Sequence, residues 1–221
     1  MRIIKRDLIY IIGLSEKITN EETLKQKDYM GQYGTIKKVI VNKDKPFNKN
    51  SREGLSYSAY ITFSSEIEAA AAIVAIDGAE FDNRTLKASF GLSKYCMSYL
   101  KNAQCGVKGC PYVHKTAKEA DTFTKEEANS TKVLQKIHNH GAIDFLAKAN
   151  SQFVQMYRNR KEGLKFPGIK FVEKAVKNYC EKNDIKFGAD VAEVKLSPVT
   201  KADSQIDAKS CKIEVSKWGC I

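Results

Sequence analysis

Over the first ninety positions the apolar residues come in short blocks rich in Ile, Val, Tyr and Phe, separated by polar segments. Asp7–Leu14 (DLIYIIGL) is dense in Ile and breaks at a glycine, which predicts a buried strand. Thr19-Asn20-Glu21-Glu22 sets Thr and Glu at capping-box spacing, and Leu24, Met30 and Tyr33 extend a helical window that Gly34 closes. Thr35–Asn42 (TIKKVIVN) predicts a second strand. Lys43–Gly54 is polar, with Lys43, Lys45, Lys49 and Arg52, and reads as a long loop. Tyr57–Phe63 (YSAYITF) predicts a third strand. Ser65 and Glu68 repeat the capping box and open an alanine-rich helix that runs to about Ile76 and stops at Asp77-Gly78. Thr85–Phe90 (TLKASF) predicts a fourth strand.

The order β-α-β-β-α-β is the ferredoxin-like arrangement of the α+β class, with two helices covering one face of an antiparallel sheet. The other face is open. Alternation assigns its residues. With Ile9 and Ile11 inward, Tyr10 and Ile12 point out. With Ala59, Ile61 and Phe63 inward, Ser58, Tyr60 and Thr62 point out. With Leu86 and Ala88 inward, Lys87 and Ser89 point out. Two tyrosines beside lysines on an open sheet are what stacking of unpaired bases requires. A sheet face that binds protein is the alternative.

Charge agrees with a polyanionic partner. Lys and Arg number 37 against 26 acidic residues, a net charge of +11. The run Leu8–Leu14 is too short to span a bilayer, no small-residue cleavage site follows it, and no other run reaches membrane length. The expected setting is therefore reducing: cytoplasmic, with the nucleus as a second compartment and no membrane partner. Clustered cysteines there favour metal over disulfides. Cys220, second from the end, does not make a prenylation box.

Tyr95–His114 (YCMSYLKNAQCGVKGCPYVH) concentrates three of the six cysteines and one of the three histidines. Cys96, Cys105, Cys110 and His114 are spaced C-x8-C-x4-C-x3-H. Three thiolates and an imidazole suit tetrahedral Zn(II), and so few residues lie between them that the metal must replace a hydrophobic core. One structural Zn(II) is expected, with no open coordination position. Tyr99, Lys101, Lys108 and Tyr112 interleave rings with positive charge. Only Gly91–Tyr95 links the sheet to the first ligand, so the two modules are expected to share an orientation and to follow one continuous RNA strand.

Ile9–Leu14 resembles the RNP2 hexamer of RNA-recognition motifs. Ser56–Phe63 is similar to the RNP1 octamer in its second half only, with Ser56, Tyr57 and Ser58 where Arg or Lys, Gly and an aromatic are usual. The ligand spacing resembles the CCCH finger family, whose members commonly bind single-stranded RNA. In that family the Tyr112 position often carries a base-stacking ring; packing over the zinc ligands is the alternative. Taken in order, RIIKRDLIYIIGL, LKQKDYMGQYGTIKKVIVNK, SAYITF, RTLKASFGLSKYC and EADTFTKEE resemble the RRM-plus-CCCH segment of the ubiquitin-ligase subunit family of the Ccr–Not mRNA deadenylation complex, over roughly Arg2–Glu127. The candidate RNA contacts are Tyr10, Ile12, Tyr60, Lys87, Lys94, Tyr99, Lys101, Lys108 and Tyr112, and the resemblance implies a place in mRNA turnover. Family members carry an eight-ligand RING domain ahead of this segment, and no second such set occurs here. Together with the lack of a catalytic constellation, that leads us to expect no enzymatic activity.

Beyond Glu127 the apolar residues return at helical spacing: Val133, Leu134, Ile137, Phe145, Leu146, Ala149, Phe153 and Tyr157, broken near Asn139-His140-Gly141. Thr124 and Glu127 suit a cap. Pro167-Gly168 precedes Ile169–Asn183, with Phe171, Val172, Ala175, Val176 and Tyr179 on one face. Such helices either dock on a deadenylation-complex or ubiquitin-transfer protein or fold back on the sheet and one another. His138 and His140 read as solvated. The expected partition is a motif over 2–91, a finger over 92–116, a helical tail over 117–190 and a flexible C-terminus over 191–221. Two functions follow: an RNA-binding protein gripping single-stranded RNA with sheet and finger, or an adapter of the deadenylation or ubiquitin-transfer machinery with little RNA binding.

Overall fold

The computed structural model describes residues 1–47, 55–158 and 160–188, all within one compact unit. Lys49, Arg52, Cys211, Cys220 and the 191–221 segment lie outside them.

β1 (Arg2–Leu14), β2 (Ile36–Phe47), β3 (Ser56–Phe63) and β6 (Lys87–Ser93) form an antiparallel sheet in the order β2-β3-β1-β6. β1 starts earlier than its local pattern predicts. Its first residues are held by distant chain: Ile3 to Lys5 pair with Ser93 to Gly91, and Arg2 and Ile3 pair with Phe123 and Thr122 of the short β7 (Thr122–Phe123). β2 likewise runs on through the start of the expected loop, to Phe47.

The predicted first helix is shorter than its window. Only α1 (Glu21–Lys25) is α-helical, capped by the Asn20 side chain, which accepts from the Glu22 N–H at 3.0 Å; Thr19 instead donates to the Glu16 carbonyl. The chain then folds back so tightly that a Cβ at Gly31 would lie 2.2 Å from the Lys25 carbonyl oxygen. A 3₁₀ turn over Met30–Gln32 follows, which buries Met30 and Tyr33.

α2 (Glu66–Ile76) opens with the expected capping box. Ser65 Oγ accepts from the Glu68 N–H at 3.2 Å and Glu68 Oε2 accepts from the Ser65 N–H at 3.1 Å. Asp77 ends it. The predicted fourth strand is divided. β4 (Glu80–Phe81) and β5 (Arg84–Thr85) form a tight hairpin turning through Asp82 and Asn83, both at positive φ, as a type I′ turn demands. Leu86 then enters the core, and β6 follows.

Every residue of α2 from Ile67 to Ile76 is buried. A helix buried on all sides needs cover on all sides. The sheet supplies one side. α5 (Asn139–Lys148) and α7 (Ile169–Lys182) supply the other, with α4 (Thr131–Ile137) and α6 (Asn150–Tyr157) beside them. The C-terminal helices therefore fold back on the domain. On α7 the buried stripe is Ile169, Val172, Val176 and Cys180, at spacings of three and four. Phe171, expected on that stripe, falls off it and is 54% exposed. Thr124 and Glu127 do exchange reciprocal backbone–side-chain bonds, at 3.2 and 2.8 Å, but a 3₁₀ turn over Glu127–Asn129 follows them and it is Ser130 that caps α4.

Buried polar bonds tie the helices to the motif. Glu68 accepts from the Thr35 and Ser65 N–H groups, from Ser64 Oγ and from Arg160 Nη2. Tyr157 donates to the Tyr33 carbonyl and Tyr33 donates to the Pro167 carbonyl. Burial raises the pKa of both phenols, that of Tyr33 with the help of Tyr157.

Candidate nucleic-acid interface and metal centre

The register decides which side chains share the open face. Tyr10 lies opposite Tyr60 on β3 and Ser89 on β6, and Tyr60 lies opposite Ile40 on β2. The inward set predicted from alternation, Ile9, Ile11, Ala59, Ile61, Phe63, Leu86 and Ala88, is fully or almost fully buried. The outward tyrosines meet each other: their ring centroids are 4.6 Å apart and the planes 30° from parallel. Burial raises the Tyr60 pKa, with Tyr10 adding to it. Ile12 and Lys87, opposite each other, are exposed at one end of the tyrosine pair.

The face extends onto β2, beyond the strands whose outward residues alternation assigned. Val39 pairs with Ile61 and is buried, so Lys38, Ile40 and Asn42 face outward beside Thr62, Tyr60 and Ser58. The period-two pattern of TIKKVIVN carries that signal. Asn42 Nδ2 donates to Ser58 Oγ at 2.9 Å, which buries Ser58 although it faces outward. β6 offers small outward residues, Ser89 and Gly91. A Cβ at Gly91 would lie 2.5 Å from the Leu8 side chain.

The finger follows directly. Cys96 caps α3 (Met97–Leu100), and the chain loops through Cys105 and Cys110 back to His114. The ligating atoms of Cys96, Cys105, Cys110 and His114 all lie within 4.8 Å of one another. A metal with bonds of about 2.3 Å to sulfur in a tetrahedron has ligand edges of about 3.8 Å, so this donor set could hold a metal ion. The backbone N–H of Tyr99 acts most strongly on Cys96 and, with Ser98 and the neighbouring thiols, brings its thiol down to about 6 despite burial. At Cys110 the Tyr112 N–H also favours the thiolate, but desolvation and the adjacent Cys105 and Cys96 outweigh it and the pKa rises. Tyr99 braces the cluster. Its ring stacks on Tyr95 at 5.8 Å and meets His114 edge-on at 6.5 Å, and its hydroxyl bonds Thr116 Oγ1. Tyr112 turns outward and is 50% exposed. Lys94, Lys101 and Lys108 are exposed around the finger.

Short-range bonds fix the finger to the sheet. Val113 donates to the Lys94 carbonyl at 2.9 Å and its carbonyl accepts from Cys96 at 3.1 Å, a parallel bridge between Tyr95 and Val113. Ser93, two residues along β6 from Gly91 and opposite Ile3, donates from Oγ to the Pro111 carbonyl at 3.3 Å. Ile3, Cys96 and Val113 are buried outside the main core cluster. The exit is pinned as well. Arg6 binds Asp121 through Nε at 3.0 Å and Nη2 at 2.6 Å, with its guanidinium 5.2 Å from the Phe90 ring centroid and 5.4 Å from that of Phe145. No local pattern in the sequence announced that fork, because its partners are 115 residues apart. Among the described residues no helix is long and apolar enough to cross a membrane.

The open sheet thus carries paired tyrosines on its two central strands, with helices behind it and a Cys3His cluster at its end. Residues 9–87 match the RNA recognition motif family. Over 134 residues, 59% of the chain, it is 44% identical to a general negative regulator of transcription of Schizosaccharomyces pombe, of which it covers 27%. Over 144 residues, 61% of the chain, it is 37% identical to general negative regulator of transcription subunit 4 of Saccharomyces cerevisiae, of which it covers 24%. The chain thus spans about a quarter of the length of these relatives. Among solved structures, the Mip6 RRM3 domain is similar at 26% identity and a TM-score of 0.31, over 39% of this chain and 93% of that one. The resemblance read from the order of motifs is borne out by the motif match and these relatives.

Proposed function

We propose that this chain grips single-stranded RNA with its sheet and a zinc-loaded finger, acts by binding without chemistry of its own, and serves mRNA turnover within a Ccr–Not-type assembly. The observation that carries the reading is the Ser93 bond to Pro111. Ser93 has the same parity on β6 as Ser89, which neighbours Tyr10. The finger is therefore tethered along the face that presents the tyrosines, and a strand stacked on Tyr10 and Tyr60 is led toward Tyr112. Zn(II) is the metal that three thiolates and an imidazole select, and with four protein ligands it is structural. Lys87, Lys94, Lys101 and Lys108 supply phosphate contacts, and Ile12 packs against a base edge. Tyr99 acts by holding His114.

Crosslinking of the zinc-loaded chain to single-stranded RNA tests this. Crosslinked peptides should contain Tyr10, Tyr60 and Tyr112. Absence of crosslinks at the sheet face, with a protein retained on it instead, would favour the adapter function.

A further inference from the structure

The sheet has a notch. On the β3 side of β1 the pairing stops at Leu8, opposite Thr62, and it resumes only at Ile3, opposite Thr122 of β7. Among the described residues no strand pairs with that edge of β1 from Ile4 to Asp7. A cavity of about 610 Å³ opens there. One wall is the β3–α2 turn at Ser64 and Ser65, with Lys37. The other is the finger's last segment, Tyr112 to Lys118.

Three features give this notch a chemistry. Its volume lies within the range of about 300–1,000 Å³ typical of small-molecule pockets. Its charge is positive. Among its lining residues, Arg6 is paired with Asp121 at 2.6 Å and Lys5 with Asp7 at 3.8 Å, which leaves Lys37, Lys115 and Lys118 against Glu66. Its lining includes Tyr112, the half-exposed ring of the finger. Cations on both walls and a free aromatic face are the elements that hold one unpaired nucleotide. An added peptide strand fits less well. At about 3.3 Å per residue, four unpaired positions leave about 13 Å between β3 and β7, so a strand laid along β1 would run into both.

We propose that the notch seats one nucleotide of the bound RNA, its base on Tyr112 and its phosphate between Lys37 and Lys118. The proposal rests on the RNA-binding function above and adds a path to it: the strand leaves the tyrosine pair and drops off the sheet through the break between β3 and β7, where the finger's last segment forms the far wall. The bare β1 edge then offers backbone groups to the base, a means of base preference that no motif in the sequence displays.

The test measures affinity of the full zinc-loaded chain for single-stranded RNA from about 3 to about 12 nucleotides long. It compares wild type, Lys37→Glu/Lys118→Glu and Tyr10→Ala. Both lysines are exposed, and zinc content and melting temperature confirm that the double variant is folded. Wild-type affinity should rise with length until the strand reaches the notch. The double variant should bind long RNA about tenfold more weakly and flatten the salt slope by about 0.7 for each phosphate it no longer neutralises, with little change on the shortest RNA. Length-dependent binding that Tyr10→Ala weakens but the double variant leaves unchanged would overturn the notch and spare the sheet. Absence of binding at every length would overturn both.

Discussion

Tyr10 and Tyr60 face each other across β1 and β3 and stack at 4.6 Å, so the open face presents one composite aromatic platform. Each ring is supported by the other. Loss of either should weaken single-stranded RNA binding by about 1–3 kcal/mol. Because the survivor loses its neighbour, Tyr10→Ala and Tyr60→Ala together should cost less than the sum of the two. A double-mutant cycle on affinity reads this coupling directly. Neither change should unfold the domain, since the core residues Ile9, Ile11, Ala59 and Ile61 lie on the opposite face.

Metal removal should affect the finger selectively. Ile3, Cys96 and Val113 are buried apart from the main core, so Cys105→Ser or chelation should abolish stoichiometric zinc and finger structure. The sheet and the α2 layer should keep most of their far-ultraviolet circular dichroism. A single melting transition that disappears entirely on chelation would contradict this separation.

Glu68 joins three parts of the fold: the turn before β2, the start of α2 and Arg160. Glu68→Ala strands the Thr35 and Ser65 N–H groups. An unmet buried donor costs about 1–3 kcal/mol, so the variant should lose about 2–5 kcal/mol in denaturant unfolding. Arg160, partly exposed, contributes less, and Arg160→Ala should cost under about 1 kcal/mol.

Asp121 accepts two hydrogen bonds from Arg6 and is 7% exposed. Asp121→Ala leaves a largely buried guanidinium beside the Phe90 and Phe145 rings without its carboxylate. A loss of about 3–5 kcal/mol is expected. Replacing both partners with apolar residues should recover part of it, as measured by chemical denaturation.

Alkaline pH should destabilise the fold from about pH 10 upward. The Tyr33, Tyr60 and Tyr157 phenols have pKa values raised in the folded state, chiefly by burial. Their contribution is complete below the unfolded value of about 10. Above it the unfolded chain ionises first, and each deeply buried phenol removes up to about 1.4 kcal/mol per pH unit until its folded pKa is passed. Urea midpoints between pH 8 and pH 11 should therefore be level at first and then fall. Tyr157→Phe should reduce the slope.

The elements with dense local signals were legible in the chain. The capping box of α2, the inward set of the central strands and the outward Tyr10 and Tyr60 follow from period-two alternation and cap chemistry, which act over a few residues. The donor cluster was legible for the same reason: three cysteines and a histidine within nineteen residues announce a set that could hold a metal ion, and the fold does bring them together. The first helix was overread because apolar spacing cannot show the reversal at Gly31, which depends on a backbone approach between turns.

Tertiary structure alone decided the rest. That α2 is alanine- and isoleucine-rich nearly all round is visible in its sequence, but what covers it is not: α5 and α7 arrive from more than sixty residues away. Phe171 looked like core by spacing and is exposed, because the stripe that α7 buries is set by the surface it meets. The length of β1, the Arg6–Asp121 fork and the notch between β3 and β7 all arise where distant segments end against one another. Local pattern registers which face of an element is apolar. It does not register which other element meets that face or where the pairing stops, because those are set by contacts between residues far apart along the chain.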